Sequence, residues 1–141
     1  MAEDVLEQLV ETYLASRSGF FLNPQYVIGV PGVWHGEADF LAIDFPNSQI
    51  WMVEVTKSPK KIFDKINEFE KSYAPRIRKQ LLDHGVVRDD GNESAWTIGL
   101  WIFVPSEWKA HIEGKLHDAE VVIHQVTSLE DTLFPGRESS R

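Results

Sequence analysis

The chain of 141 residues has no cysteine, so a disulfide scaffold, a thiolate metal site and a cysteine nucleophile are all excluded. A reducing compartment suits such a composition. It also lacks any apolar run near the roughly 18 residues that a membrane span needs. The opening Met1-Ala2-Glu3-Asp4 is acidic where a signal peptide would be basic, and a soluble, cytoplasmic protein with no membrane partner is expected. No Gly-x-Ser-x-Gly elbow occurs, so Ser/His/Asp catalysis has no support. The glycines form neither a phosphate-binding loop nor a dinucleotide fingerprint. His84, His111, His117 and His124 lack the spacing of a helical zinc motif.

Basic residues are in deficit, 14 against 22 acids for a net charge of −8, which alone argues against nucleic acid as a partner. The deficit is uneven. Eight bases (Lys57, Lys60, Lys61, Lys65, Lys71, Arg76, Arg78, Lys79) stand against three acids between positions 57 and 79, a local balance of +5. The plainer reading of that segment is a solvated helix face. Its i,i+4 neighbours Asp64 with Glu68 and Lys61 with Lys65 are like-charged, which weakens that reading.

Taken in order, residues 3 to 17 have the apolar spacing of an amphipathic helix that Gly19 ends. Phe20 to Val30 reads as a strand broken at Asn23-Pro24, and Pro31-Gly32 as a tight turn. Val33 to Asp44 is a second strand with His35, Glu37, Asp39, Leu41 and Ile43 on one face. Gln49 to Lys57 is a third, and Met52, Glu54 and Thr56 share a face of it. From Lys60 a helical pattern runs through Ile62, Ile66, Phe69, Tyr73, Ile77 and Leu81. Pro75 is expected to kink or split it and Gly85 to close it. The polar stretch from Arg88 to Ser94 reads as a mobile loop, and Trp96 to Val104 as a strand. Glu107 to Glu113 is a helix ended by Gly114, and Glu120 to Gln125 a last strand. One domain is expected over residues 1 to 134, with 135 to 141 a flexible tail. Opening hairpins and a closing strand-helix-strand unit imply an α/β fold, a mixed central sheet flanked by helices.

Within this frame Trp51 to Lys57 stands out, an apolar interior strand that nevertheless carries Glu54 and ends on Thr56 and Lys57. Charge in such a strand is costly unless a cation or another partner compensates it. Glu7, Asp39, Glu54 and Lys57 form a candidate site. Asp39 and Glu54 on adjacent strands, with the Val55 carbonyl, would hold a hard divalent cation, Mg2+ or Mn2+, and a nearby ammonium would assist phosphodiester hydrolysis. Glu37 reads as a solvated edge residue, its alternation with Asp39 leaving a second ligand open. His35 reads as hydrogen-bonded near a turn. Trp51, Trp96 and Trp101 read as core or sheet-face residues, and Trp34 and Trp108 as surface candidates for base stacking.

Gly36-Glu37-Ala38-Asp39-Phe40-Leu41, followed about a dozen residues later by Val53-Glu54-Val55-Thr56-Lys57, resembles the signature of the PD-(D/E)xK, or restriction-endonuclease-like, superfamily. The likeness covers roughly residues 5 to 104, and Leu6-Glu7-Gln8-Leu9-Val10 is similar to the leading helix, which often adds an acid. It implies an αβββαβ core, here with a C-terminal helix and strand, and a metal-dependent nuclease. In that role Asp39 and Glu54 hold Mg2+ or Mn2+, Glu7 orients a water and Lys57 activates it. Lys60, Lys61 and Lys65 bind the backbone of DNA, or of RNA, and a homodimer is a common form. The family places its lysine two residues after the glutamate, where this chain has Thr56. Three explanations stay open at this point: a bulge turning Lys57 inward, a substitute such as Lys60 or Lys61 reaching back from the helix, or lost catalysis on a retained fold. The last is the alternative function, a binding or regulatory module that meets a protein or nucleic-acid partner, a protein docking through the acidic surface.

Overall fold

A computed structural model of the protein describes residues 3–30, 33–87 and 96–133. The turn expected at Pro31-Gly32, the loop from Arg88 to Ser94 and the tail after 134 lie outside them. The elements are α1 (Glu3–Ala15), β1 (Phe20–Val30), β2 (Val33–Asp44), β3 (Gln49–Val55), α2 (Phe63–Glu68), α3 (Ala74–Asp83), β4 (Thr97–Val104), α4 (Lys109–Asp118), β5 (His124–Ser128) and α5 (Leu129–Leu133). Among the described residues no helix is long and apolar enough to cross a membrane.

The strands form one mixed sheet in the order β1-β2-β3-β4-β5. β1, β2 and β3 pair antiparallel as the hairpin pattern predicts, whereas β3, β4 and β5 run parallel. The helical crossovers that parallel pairing requires supply one outer layer, and the terminal helices α1 and α5 supply the other. On one face α2, α3 and α4 bury Ile66, Ile77, Ile112 and Leu116 against Leu41, Met52, Leu100 and Ile102. On the other, α1 and α5 bury Val10, Leu14 and Leu129 against Phe40, Val53, Trp101 and Phe103. The alternation read from β2 and β3 is thus shared between two cores. It places Leu41 and Met52 on the α2 face, and with them, by parity, Asp39 and Glu54.

Three local outcomes differ from expectation. The long helical pattern is split near Pro75 as expected, but by an unforeseen device: a 3-10 turn (Pro59–Ile62), α2, a π turn (Phe69–Tyr73) and α3 follow one another. Pro75 sits at the start of α3 and cannot offer an N–H to the preceding turn. The wider π turn absorbs that missing bond without stopping the chain. Gly114 does not end its helix, because α4 continues to Asp118. Burying Leu116 is worth about 2 kcal/mol, more than the roughly 1 kcal/mol a glycine costs in a helix interior. The last strand begins at His124, not Glu120, since Glu120 takes a left-handed turn at φ 57°. The β-branched run Val121-Val122-Ile123 pulls the expected strand early. The true strand ends on Thr127 and Ser128, buried where Thr127 Oγ1 accepts the Trp101 indole N–H at 3.0 Å.

β1 crosses Asn23-Pro24 without ending. It is an edge strand, where a proline forfeits no essential ladder bond. Gln25, one residue later, takes a positive φ of 52°, and the register with β2 shifts only between Ile28 and Gly29.

Candidate active site

The candidate site is a fork between β2 and β3. The last regular pair in their register is Phe40 with Val53, so one step further sets Asp39 opposite Glu54. There the ladder gives way to side chains. The Asp39 N–H donates to Glu54 Oε2 at 3.2 Å, and the Val55 N–H donates to Asp39 Oδ2 at 2.8 Å. Each strand's amide is thus taken by the other strand's carboxylate, which lets the backbones part while leaving neither N–H unpaired. Across Asp39 on its other side stands Gln25, between the pairs Pro24 with Phe40 and Tyr26 with Ala38.

Glu54 is buried at 5% exposure, whereas Asp39 is half-buried and forms the mouth of the fork. Lys65, on α2, bridges the opening. Its Nζ lies 2.5 Å from Glu54 Oε1 and donates to the Glu37 carbonyl at 2.7 Å. It therefore cross-links β2 to β3 and uses two of its three N–H donors. Helical side chains lean toward the helix N-terminus, and α2 begins just beyond the end of β3, so a lysine on its first turns reaches back over the strand tip.

Burial, then the neighbouring Asp39 carboxylate, push the Glu54 carboxyl up to about 8, against the opposing pull of Lys65. Burial lowers the affinity of Lys65 for its proton, but the Glu54 and Asp39 carboxylates outweigh it and the ammonium is held above its ordinary range. Both Glu54 oxygens accept hydrogen bonds, the arrangement of an ionised carboxylate. The fork is built for a charge that its burial opposes, and added positive charge beside Asp39 and Glu54 would relieve that opposition.

The remaining sequence candidates fall elsewhere. Thr56, in the position the resemblance gives to a lysine, is buried in the turn that leaves β3: its Oγ1 donates to the Ser58 carbonyl at 2.9 Å and accepts the Ser58 N–H at 3.0 Å. Lys57 is exposed and lines a groove with Leu6, Leu9 and Leu129, on the α1 face and away from Glu54. No bulge turns it inward. Lys60 and Lys61 are exposed on the 3-10 turn; Lys65, expected beside them as a phosphate contact, is the lysine that meets Glu54. Glu7 Oε1 accepts the Gln25 amide at 2.9 Å, one strand out from Asp39. The Thr56 N–H bonds to Phe103 on β4, so the Val55 N–H and carbonyl leave β3 on the edge facing β2. That edge is the fork.

Hard oxygen donors, two carboxylates and one strand-end carbonyl, are the set that suits Mg2+ or Mn2+. No group of three or more His, Asp or Glu side chains gathers as a metal cluster among the described residues, so a cation here would draw its other ligands from backbone, water or substrate.

Tyr73 is a neighbour that the strand pattern did not reveal. The π turn brings its ring against Gly36, where an added Cβ would stand 3.1 Å from Cε1 and 3.2 Å from the hydroxyl oxygen. Burial raises its phenol, which also feels Lys65 and Glu54. The signals for Lys65 and Tyr73 lay in the helix. Lys65 precedes buried Ile66, and Tyr73 follows buried Phe69 by four residues, just before a proline.

No protein-family model matches the chain, and neither a curated protein nor a solved structure matches it.

Proposed function

We propose that the protein is a metal-dependent nuclease that hydrolyses phosphodiester bonds in DNA, with Asp39, Glu54 and Lys65 at its centre. The observation that carries this reading is the convergence of two carboxylates and an ammonium where β2 and β3 part. The order αβββαβ, antiparallel then parallel, supports the restriction-endonuclease-like resemblance.

Asp39, Glu54 and the Val55 carbonyl would hold Mg2+ or Mn2+, which when bound supplies Lewis-acid polarisation of a phosphate oxygen and a more acidic water. The third N–H of Lys65 is available to a substrate oxygen or to the attacking water, the role first given to Lys57. Water adds to phosphorus, the P–O bond to the sugar breaks, and the leaving oxygen takes up a proton. Glu7, tied to Gln25, would orient water from one strand further out. Lys60 and Lys61 would meet the phosphate backbone beside the fork.

Purified protein incubated with single-stranded, double-stranded and branched DNA, with Mg2+ or Mn2+, tests the reading. Cleavage is expected that Asp39→Ala and Glu54→Ala abolish, that Lys65→Ala slows by about 100-fold or more, and that Lys57→Ala leaves largely intact. Cutting that survives both acid substitutions would end it.

One observation favours a second reading. Lys65 already neutralises Glu54, as a fold that has given up its cation would arrange. On that reading the protein is a binding module that docks a partner through its acidic surface. Mg2+ titration separates the two, because a working site raises the melting temperature by mass action and a sealed one does not.

A further inference from the structure

The fork lies at the carboxyl end of β3, and the parallel strands β3, β4 and β5 all point toward the same end of the sheet. α2 and α4 both begin there. Their facing sides carry two columns at helical spacing, Lys60-Phe63-Asn67 and Trp108-His111-Lys115. The columns touch through Phe63, whose ring is 5.8 Å from that of His111 and has Lys115 Nζ 5.1 Å from its centre; within the second column the Trp108 and His111 rings are 6.0 Å apart. Phe63 and Trp108 are half-buried, so each is anchored in the core with part of its ring outside. Lys60, Asn67, His111 and Lys115 are exposed.

Neither column contains a carboxylate, in a chain whose net charge is −8. Of the nearest acids, Asp64 and Glu107 flank the columns, four residues after Lys60 and four before His111, and Glu113 lies on the far side of α4. Packing alone would account for half-buried rings. It does not account for exposed lysines at both ends of a seam whose two columns hold no carboxylate. Anchored aromatic faces between cations are what unpaired bases and their backbone need together, because every base has a π-face and every nucleotide a negative charge. A blunt duplex hides its base faces and could use only the lysines.

We infer that the α2–α4 seam is a stacking platform for single-stranded nucleic acid, leading an unpaired strand into the fork. The inference rests on the proposed nuclease reading for its direction, and it names single-stranded DNA, or the unpaired part of a branched one, as the substrate class. Phe63 and Trp108 stack bases and Lys60 and Lys115 take the flanking phosphates; Lys65 stands on the opposite flank of α2, so the strand passes round the start of that helix to reach the fork.

Fluorescence anisotropy on the intact protein, with a labelled oligothymidine of about ten nucleotides in EDTA, tests the platform without any cutting. At about 50 mM salt the single strand is expected to bind at least tenfold tighter than a blunt duplex of equal length. Lys115→Glu should weaken it about tenfold and Phe63→Leu, which keeps apolar bulk, about fivefold, while both variants melt like the parent. Absent binding, equal binding by the variants, or a preference for duplex overturns the inference. Its fate is separable from that of the nuclease reading. Expected binding with no cleavage in Mg2+ keeps the platform and removes the nuclease, whereas cleavage that needs Asp39 but ignores Phe63 and Lys115 does the reverse.

Discussion

Glu54 holds its proton more tightly in the folded protein than in the unfolded chain, and that fixes the sign of a pH effect. With the carboxyl raised from 4.5 to about 8, the folded state binds more protons than the unfolded one between those values. Stability from this group therefore falls as pH rises from about 4.5 to 8, by an upper bound of about 5 kcal/mol, and levels off above. Glu54→Gln should remove that slope and melt higher than the parent at pH 8, as followed by circular dichroism in EDTA. Lys65→Met should behave oppositely. It removes the ammonium that holds the Glu54 carboxyl down, so the proton is kept beyond pH 8 and the fall in stability should continue above the pH at which the parent levels off. At this scale Asp39 and Glu54 were legible because acids interrupt apolar alternation. Lys65 was not, since strand parity counts outward from Glu54 whereas the lysine arrives from a different element, 11 residues on.

Among the elements, glycines separate what pattern can read from what packing decides. Gly114 sits inside α4 with nothing within 4 Å of an added Cβ, so Gly114→Ala should raise stability by about 0.5–1 kcal/mol. Gly36 is pressed by Tyr73, and Gly36→Ala should lower stability by about 1–2 kcal/mol and disturb the π turn. Urea titration of the two variants checks both signs. The limits of β2 were readable, since Pro31-Gly32 precedes it, Pro46-Asn47 follows it, and alternation around Glu37 and Asp39 passes into the apolar run Phe40 to Ile43. α5 was not foreseen, because five residues are too few to declare a period. The π turn was equally hidden: a proline announces a disturbance in a helix, and its neighbours' packing chooses the form.

For the molecule as a whole, the charge read as a basic segment is partly spent internally. Lys71 pairs with Glu68 at 3.4 Å and Lys79 with Asp83 at 2.9 Å, both exposed, and Lys65 with Glu54. Exposed pairs of this kind contribute about 0–1 kcal/mol each and are screened by salt. Self-repulsion at a net charge of −8 is screened as well and involves many more charges. The second effect should win, so raising NaCl from about 20 mM to 0.5 M at pH 7 should raise the melting temperature measured by calorimetry. Sequence supplied the class of fold at this scale, through hairpins first and a helical crossover later. It did not supply the division of the sheet between two cores, which depends on which helix covers which face.

The strand order β1-β2-β3-β4-β5 repeats the order of synthesis. Each strand meets a neighbour already made. Asp39, Glu54 and Lys65 all precede β4 in the chain, and β4 pairs alongside Glu54 through Ile102. The three groups are thus made early, and the full cost of desolvating Glu54 is met only when the later strands and helices complete the core. A nascent chain can hold its three charged groups together in water long before it has to carry one of them into its interior.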